Sequence, residues 1–197
     1  YMNMMESMKT HSYMNILNCL YLMEPIRLQN KFGEIDMLDK QGVYDCLRDH
    51  HIDFEITDHV PLFSMDDKPD VELPYPEWDA KNLFIRDHKR EHYYLITVRG
   101  SKRVDLKQFR KEHNLKKISF GSEEELWEIL KIKPGHVSPF CLLHDEERKV
   151  HYYIDADYKD NLIGIHPNQN DATVWLQGKD LVKLIEEHGT IIEYITI

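Results

Sequence analysis

The sequence predicts a mixed α/β domain whose sheet is largely antiparallel or mixed and is flanked by helices. Short apolar segments with strand-like alternation recur from Ile52 to Ile197. Helical segments with legible caps stand between them. No regular strand–helix–strand repeat, heptad run or low-complexity tract accompanies them, which argues against an all-parallel sheet or a coiled coil. The 197 residues are 42% hydrophobic and 30% charged, the composition of an ordinary globular chain. At that length one core buries roughly 70% of the unfolded chain's surface, so the fold needs neither disulfides nor a structural metal.

The elements follow in order. Residues 1–38 are Met- and Asn-rich with weak helical periodicity in Ile16, Leu20 and Met23, and are read as an extension of unassigned role. The domain is assigned to residues 39–197. Asp39 is placed to cap a helix carrying Val43, Tyr44 and Leu47 on one face and ending near His50 or His51. Ile52–Ile56 alternates as a strand. Pro61, Pro69, Pro74 and Pro76 then enforce a long loop. Asn82–Arg86 and Tyr93–Arg99 read as a hairpin around a polar turn. Leu106–His113 reads as a basic helix, and Ser122 with Glu125 forms a capping box opening another through Leu130. Both helices are expected on one sheet face. Phe140–Leu143, Val150–Ile154, Leu162–Ile165 and Thr173–Leu176 follow as strands. A helix over Lys179–His188 stops at Gly189, and Ile191–Ile197 forms a last strand.

Composition narrows the function. Cys19, Cys46 and Cys141 are odd in number and show no CxxC spacing, which disfavours a disulfide framework or zinc ribbon and fits a reducing cytoplasm. No apolar run approaches the roughly 20 residues of a transmembrane helix. The formal charge of −10 conceals an asymmetry: eleven Lys/Arg and four Asp/Glu lie between Arg86 and Lys117, leaving −17 on the rest. Such a run is ordinarily a solvated face and gains meaning only beside an RNA-recognising site. GxSxG, HExxH, P-loop and GxGxxG signatures are absent. His50–His51 and His88/His92 are read as exposed rather than metal-binding, and Cys141 as a packed core thiol.

Three segments resist a purely structural reading. Lys81 and Asn82 end the proline-rich loop and open an apolar strand. Gly135-His136-Val137-Ser138-Pro139-Phe140 is a turn in which glycine permits close backbone approach and proline fixes the bend. His166 closes a strand before Pro167-Asn168. Each alone has a bland explanation: a solvated lysine, an ordinary turn, a structural histidine.

In this order and spacing they resemble the YbaK/prolyl-tRNA deacylase family of freestanding trans-editing proteins. The resemblance runs from Gln41 to Tyr194, through Thr57-Asp58-His59 with Pro61, Pro76-Glu77-Trp78-Asp79-Ala80-Lys81-Asn82-Leu83-Phe84, Gly135-xxx-Pro139, Ile165-His166-Pro167-Asn168 and Ala172-Thr173-Val174. It is similar above all to the branch, often called PrdX or ProX, that removes misattached alanine from proline tRNA. Cys141 departs from the small residue expected after the Ser-Pro-Phe turn. The resemblance implies a YbaK-like fold, a mixed sheet or partial barrel flanked by helices. It further implies an Ala-tRNA(Pro) deacylase that uses no covalent nucleophile, metal or cofactor, with the tRNA 2′-OH helping to activate water. Lys81 would sit by the scissile ester and terminal adenosine, and Gly135 would offer backbone groups there. Asn82 and His166 would line the amino-acid pocket with Ser138, Pro139 and Phe140. The implied partners are the acceptor end of mischarged tRNA(Pro) and prolyl-tRNA synthetase, with no DNA and no membrane. The alternatives are a Cys-tRNA(Pro) deacylase and a non-catalytic tRNA- or synthetase-binding module.

Overall fold

The computed structural model describes residues 38–61 and 69–197. Helix α1 (Lys40–Asp49) starts where Asp39 accepts a hydrogen bond from the Gly42 N–H at 2.9 Å, and it buries Val43, Tyr44, Cys46 and Leu47. Leu38, just before it, is itself buried: its N–H donates to His144 Nε2 and its carbonyl accepts from Asn168 Nδ2. Leu38 thus packs with the residues that follow it. The earlier residues of the extension, Ile16, Leu20 and Cys19 among them, lie outside the described residues.

The strands are β1 (Phe54–Asp58), β2 (Ala80–Asp87), β3 (Tyr93–Arg99), β4 (Ile118–Phe120), β5 (Val150–Asp155), β6 (Leu162–Ile165), β7 (Ala172–Gln177) and β8 (Ile192–Ile195). They form a three-stranded antiparallel sheet, β1-β7-β6, and a five-stranded mixed sheet, β4-β2-β3-β5-β8, rather than a closed barrel. The β2–β3 hairpin is antiparallel, whereas β3–β5 and β5–β8 are parallel. A single parallel bridge from Asp79 to Gly164 joins the edges of the two sheets. β3 is buried on both faces, which fits a Tyr93–Val98 segment that is apolar except for Thr97.

Helices α2 (Leu106–Glu112) and α3 (Glu123–Leu130) lie on opposite faces of the five-stranded sheet, not on one. Phe109 of α2 packs with Ile85, Tyr94, Ile96, Val98 and Tyr153, while Leu126 and Leu130 of α3 join the larger core with Ala80, Phe84, Leu95 and Tyr152. The period-two alternation of β2 and β3 supplies both apolar faces. The expected capping box at Ser122 and Glu125 is present. Helix α4 (Gly178–Glu187) ends before Gly189, whose φ of +94° is the left-handed stop expected there.

Two further elements depart from expectation. β4 pairs with β2, although its three residues carry too little pattern to announce a strand. Pro139–His144 is a 3-10 helix rather than a strand. Proline opens it, Ser138 Oγ accepts from the Phe140 N–H, and all six residues are buried, so no alternation exists to hold a strand in register.

Candidate functional site

The site is assembled where β2 meets the turn before the Pro139–His144 helix and the end of β6. Asn82 lies on the larger-core face of β2, with Ala80 and Phe84. Its Nδ2 donates to the Val137 carbonyl at 3.0 Å, and its Oδ1 accepts from Thr97 Oγ1 at 2.7 Å. Thr97 is its antiparallel partner across the hairpin and is fully buried. The Gly135–Pro139 turn is thus tied to β2 by a side chain that β3 orients. On its other side, Ser138 Oγ donates to Asn168 Oδ1 at 2.9 Å. Asn168, at φ +58° and buried, follows His166-Pro167 directly. Two hydrogen bonds therefore bring together three segments separated by more than 50 and by about 30 residues of chain.

Gly135 adopts φ +81°, a region where a β-carbon is strained, and an added Cβ would meet no atom within 4 Å. Conformation, not crowding by the chain, demands glycine, and its exposed backbone faces open space. Ser138 is buried, and its hydroxyl serves Asn168 and the Phe140 N–H, so it braces the turn. Pro139 and Phe140 are buried, the latter as part of the larger core. The Cys141 Sγ donates to the Ser138 carbonyl, and burial pushes its thiol up to about 12, which makes it inert.

His166 Nδ1 lies 3.3 Å from the Ala172 carbonyl; donation there leaves Nε2 as the lone-pair acceptor. Burial holds this imidazole below the ordinary histidine value, so it is neutral near pH 7. The His59 ring meets it edge-on at 6.4 Å, and His59 itself is fixed by Thr173 Oγ1 and the Val60 carbonyl. His136, from the glycine turn, is also close enough to disfavour a charge on His166.

Lys81 points the other way from Asn82, toward the smaller core, because neighbours on a strand alternate. Its Nζ donates to the carbonyls of Gly100, at 3.1 Å, and Lys102. Burial, with Arg103 nearby, lowers its pKa from the ordinary lysine value. It makes no ion pair with a carboxylate among the described residues. The contacts described do not join it to Gly135 or His166.

Asp79, His59, Thr97 and Asn168 carried no assigned role in the sequence reading. Asp79 opens the same strand as Lys81, and burial pushes its carboxyl up to about 6. The signal for these residues is pairwise: Thr97 is recognisable only from the register of the hairpin, and Asp79 only from the bridge to Gly164.

Part of the basic segment is neutralised by ion pairs. Arg86 and Arg90 pair with Glu125, Arg99 with Asp157, and Lys102 with Asp155 and Asp157. Lys107 and Lys111 of α2 remain exposed. At the hairpin turn, Asp87, Glu91 and His92 bring ligand-type atoms within 4.8 Å, but Asp87 also closes the turn by accepting from the Glu91 N–H. No helix among the described residues is long and apolar enough to cross a membrane.

Residues 76–184 match the aminoacyl-tRNA editing domain family. The prolyl-tRNA editing protein ProX of Acetoanaerobium sticklandii is 33% identical over 168 residues, covering 83% of this chain and all of that protein. The prolyl-tRNA synthetase associated domain-containing protein 1 of Bos taurus is 24% identical over 140 residues, 68% of this chain and 81% of its own. Among solved structures, a candidate trans-editing enzyme for prolyl tRNA synthetase superposes with a TM-score of 0.54 at 16% identity, covering 80% of this chain and 96% of that one, which is agreement of fold. The chain belongs to the aminoacyl-tRNA editing domain family and is an aminoacyl-tRNA deacylase, an ester hydrolase.

Proposed function

We propose that this protein is a trans-editing enzyme that hydrolyses mischarged tRNA(Pro), with alanyl-tRNA(Pro) as its substrate. The observation that carries the reading is the pair of hydrogen bonds, Asn82 to Val137 and Ser138 to Asn168, that draws the three motif segments into one site. The match to ProX over that protein's full length supports tRNA(Pro) as the tRNA. An aminoacyl ester is already activated, so placing a water and stabilising the developing oxyanion suffice without a covalent nucleophile. Lys81 supplies positive charge to the ester and the terminal adenosine. Its ammonium is held by carbonyl oxygens alone, so its charge is not neutralised in place. The Gly135 backbone approaches the ester, and the tRNA 2′-OH takes part in activating water. Neutral His166 offers a lone pair in the pocket, and Asn82 fixes the turn against it.

Selectivity follows from size. A pocket built for proline discriminates poorly against a smaller side chain, since one methylene is worth about 1–3 kcal/mol. A second site that admits alanine and excludes proline supplies the difference. Exposed Lys107 and Lys111 on α2 fit acceptor-stem phosphates, which would make binding salt-dependent. Prolyl-tRNA synthetase is the proposed docking partner, and the cytoplasm the proposed compartment.

The test is hydrolysis of alanyl-tRNA(Pro) by wild type and Lys81→Ala, with tRNA binding measured in parallel. Loss of hydrolysis with retained binding is expected. Unchanged hydrolysis by Lys81→Ala would remove the role given to the lysine, and tRNA binding without hydrolysis by wild type would leave a binding module.

A further inference from the structure

Asp79 is a half-buried carboxylate with no ion-pair partner among the described residues. Its main chain is fully engaged: the Gly100 N–H and the Tyr158 hydroxyl both donate to its carbonyl, at 2.8 and 3.2 Å, and its backbone bridges to Gly164. Its carboxyl accepts from the Ala80 N–H and lies near enough to His59 to feel its charge. One carboxyl oxygen lies 3.6 Å from where a β-carbon on Gly100 would sit, so this glycine leaves room beside it. Neighbouring Lys81 spends its ammonium on the Gly100 and Lys102 carbonyls instead. Arg99 and Lys102, on either side of Gly100, pair with Asp155 and Asp157. One hydrogen bond from the Ala80 N–H does not compensate a carboxylate withdrawn from water without an ion-pair partner, which costs stability, and the bridge to Gly164 is made by the backbone alone.

Its position suggests what neutralises it. Asp79 lies two residues before Lys81, and its bridge partner Gly164 lies two residues before His166. Two extended residues span about 6.6 Å of backbone, so Asp79 stands about that far along the chain from Lys81, assigned to the ester, and its bridge partner as far from His166, assigned to the amino-acid pocket. Every unblocked aminoacyl ester carries an amino group on the carbon next to the scissile carbonyl, and near neutral pH much of it is an ammonium. An ester held between Lys81 and His166 brings that ammonium within reach of Asp79.

We propose that the Asp79 carboxylate receives the α-ammonium group of the aminoacyl ester and so selects free aminoacyl esters over N-blocked ones. This rests on the editing function proposed above. The ion pair would restrain the acyl group at its amino end, while the side-chain pocket judges its size at the other.

The full chain and its Asp79→Asn variant are to be titrated, near neutral pH, with the amide-linked analogue 3′-alanylamino-3′-deoxyadenosine and its N-acetyl form. Hydrolysis of alanyl-tRNA(Pro) is measured alongside. Wild type is expected to bind the free amine roughly 10- to 100-fold more tightly than the acetylated form, the worth of a charge-assisted contact. Asp79→Asn should erase that preference and leave the weaker affinity for the acetylated form unchanged. Equal binding of both forms by wild type, an unchanged preference in the variant, or a parallel loss for both ligands would overturn the proposal. Selective binding without hydrolysis would refute the editing reading and leave the ammonium site standing. Hydrolysis without selectivity for the free amine would do the reverse.

Discussion

Asn82→Ala perturbs the site at the point where the hairpin holds the glycine turn. Two hydrogen bonds are lost, from Asn82 Nδ2 to the Val137 carbonyl and from Thr97 Oγ1 to Asn82 Oδ1. Each contributes about 0.5–1.5 kcal/mol net, but the two losses are unequal. Val137 is only partly buried, and water reaches its carbonyl once Asn82 is gone. Thr97 is fully buried, so its stranded hydroxyl adds about 1–3 kcal/mol. The variant should therefore be less stable by roughly 2–4 kcal/mol. Thr97→Val, nearly isosteric, leaves the half-buried Asn82 oxygen without its donor, removes the hydroxyl beside buried Tyr152, and should cost about 1 kcal/mol. In the double variant the Thr97 hydroxyl is gone rather than stranded, so its cost should fall below the sum of the singles by at least about 1 kcal/mol. Urea denaturation followed by tryptophan fluorescence gives the four free energies, and alanyl-tRNA(Pro) hydrolysis reports whether the untethered turn still supports turnover. Additivity within about 0.5 kcal/mol would refute the reasoning, because uncoupled residues do not share a bond.

Gly164→Ala would place a Cβ 2.2 Å from the ring of Trp175, a buried residue held by its hydrogen bond to Thr57, so we expect a loss of about 1–3 kcal/mol and a shifted tryptophan emission; an unchanged denaturation midpoint would contradict that packing. Cys46, raised to about 11 by burial, and Cys141, at about 12, should resist alkylation in the native protein at pH 8 and react once it is unfolded; peptide mass spectrometry distinguishes the sites. Burial raises Asp79 to about 6 from the model-compound value of 3.8, so its contribution favours the fold below about pH 4 and is lost as pH rises through 6. Asp79→Asn should then match wild type in acid and exceed it by roughly 1–3 kcal/mol at pH 7, measured as denaturation midpoints at the two pH values; a less stable variant at pH 7 would mean that the carboxylate has a counter-ion.

What the sequence disclosed depended on whether the signal was local. The caps at Asp39 and Ser122 and the stop at Gly189 are each settled by residues within one helical turn, and all three stand as expected. The β2–β3 hairpin was legible because two strand-like segments flank a polar turn. β1 begins two residues later than expected, since Ile52 leaves the alternation to close the preceding helix through its N–H to the Leu47 carbonyl. Phe140–Leu143 misled because a buried apolar run carries no period, and only the Ser138 cap and Pro139 distinguish the 3-10 helix from a strand. The sides taken by α2 and α3 depend on how the chain crosses between parallel strands, which neither helix encodes alone. The same holds at the site. The sequence identified Asn82, Gly135 and His166 as segments worth attention, but it could not show that Thr97 orients Asn82, that Ser138 and Asn168 close the turn, or that Lys81 and Asn82 face opposite ways. Those facts belong to register and to contacts between distant strands.

The central claim is selective release of the wrong amino acid from tRNA(Pro). The most direct measurement compares hydrolysis of alanyl-, cysteinyl- and prolyl-tRNA(Pro) by the wild-type protein, side by side. The account predicts rapid release of alanine, with prolyl-tRNA(Pro) left intact. Preferential release of cysteine would keep the enzyme and change its substrate, and release of proline as fast as alanine would contradict the account.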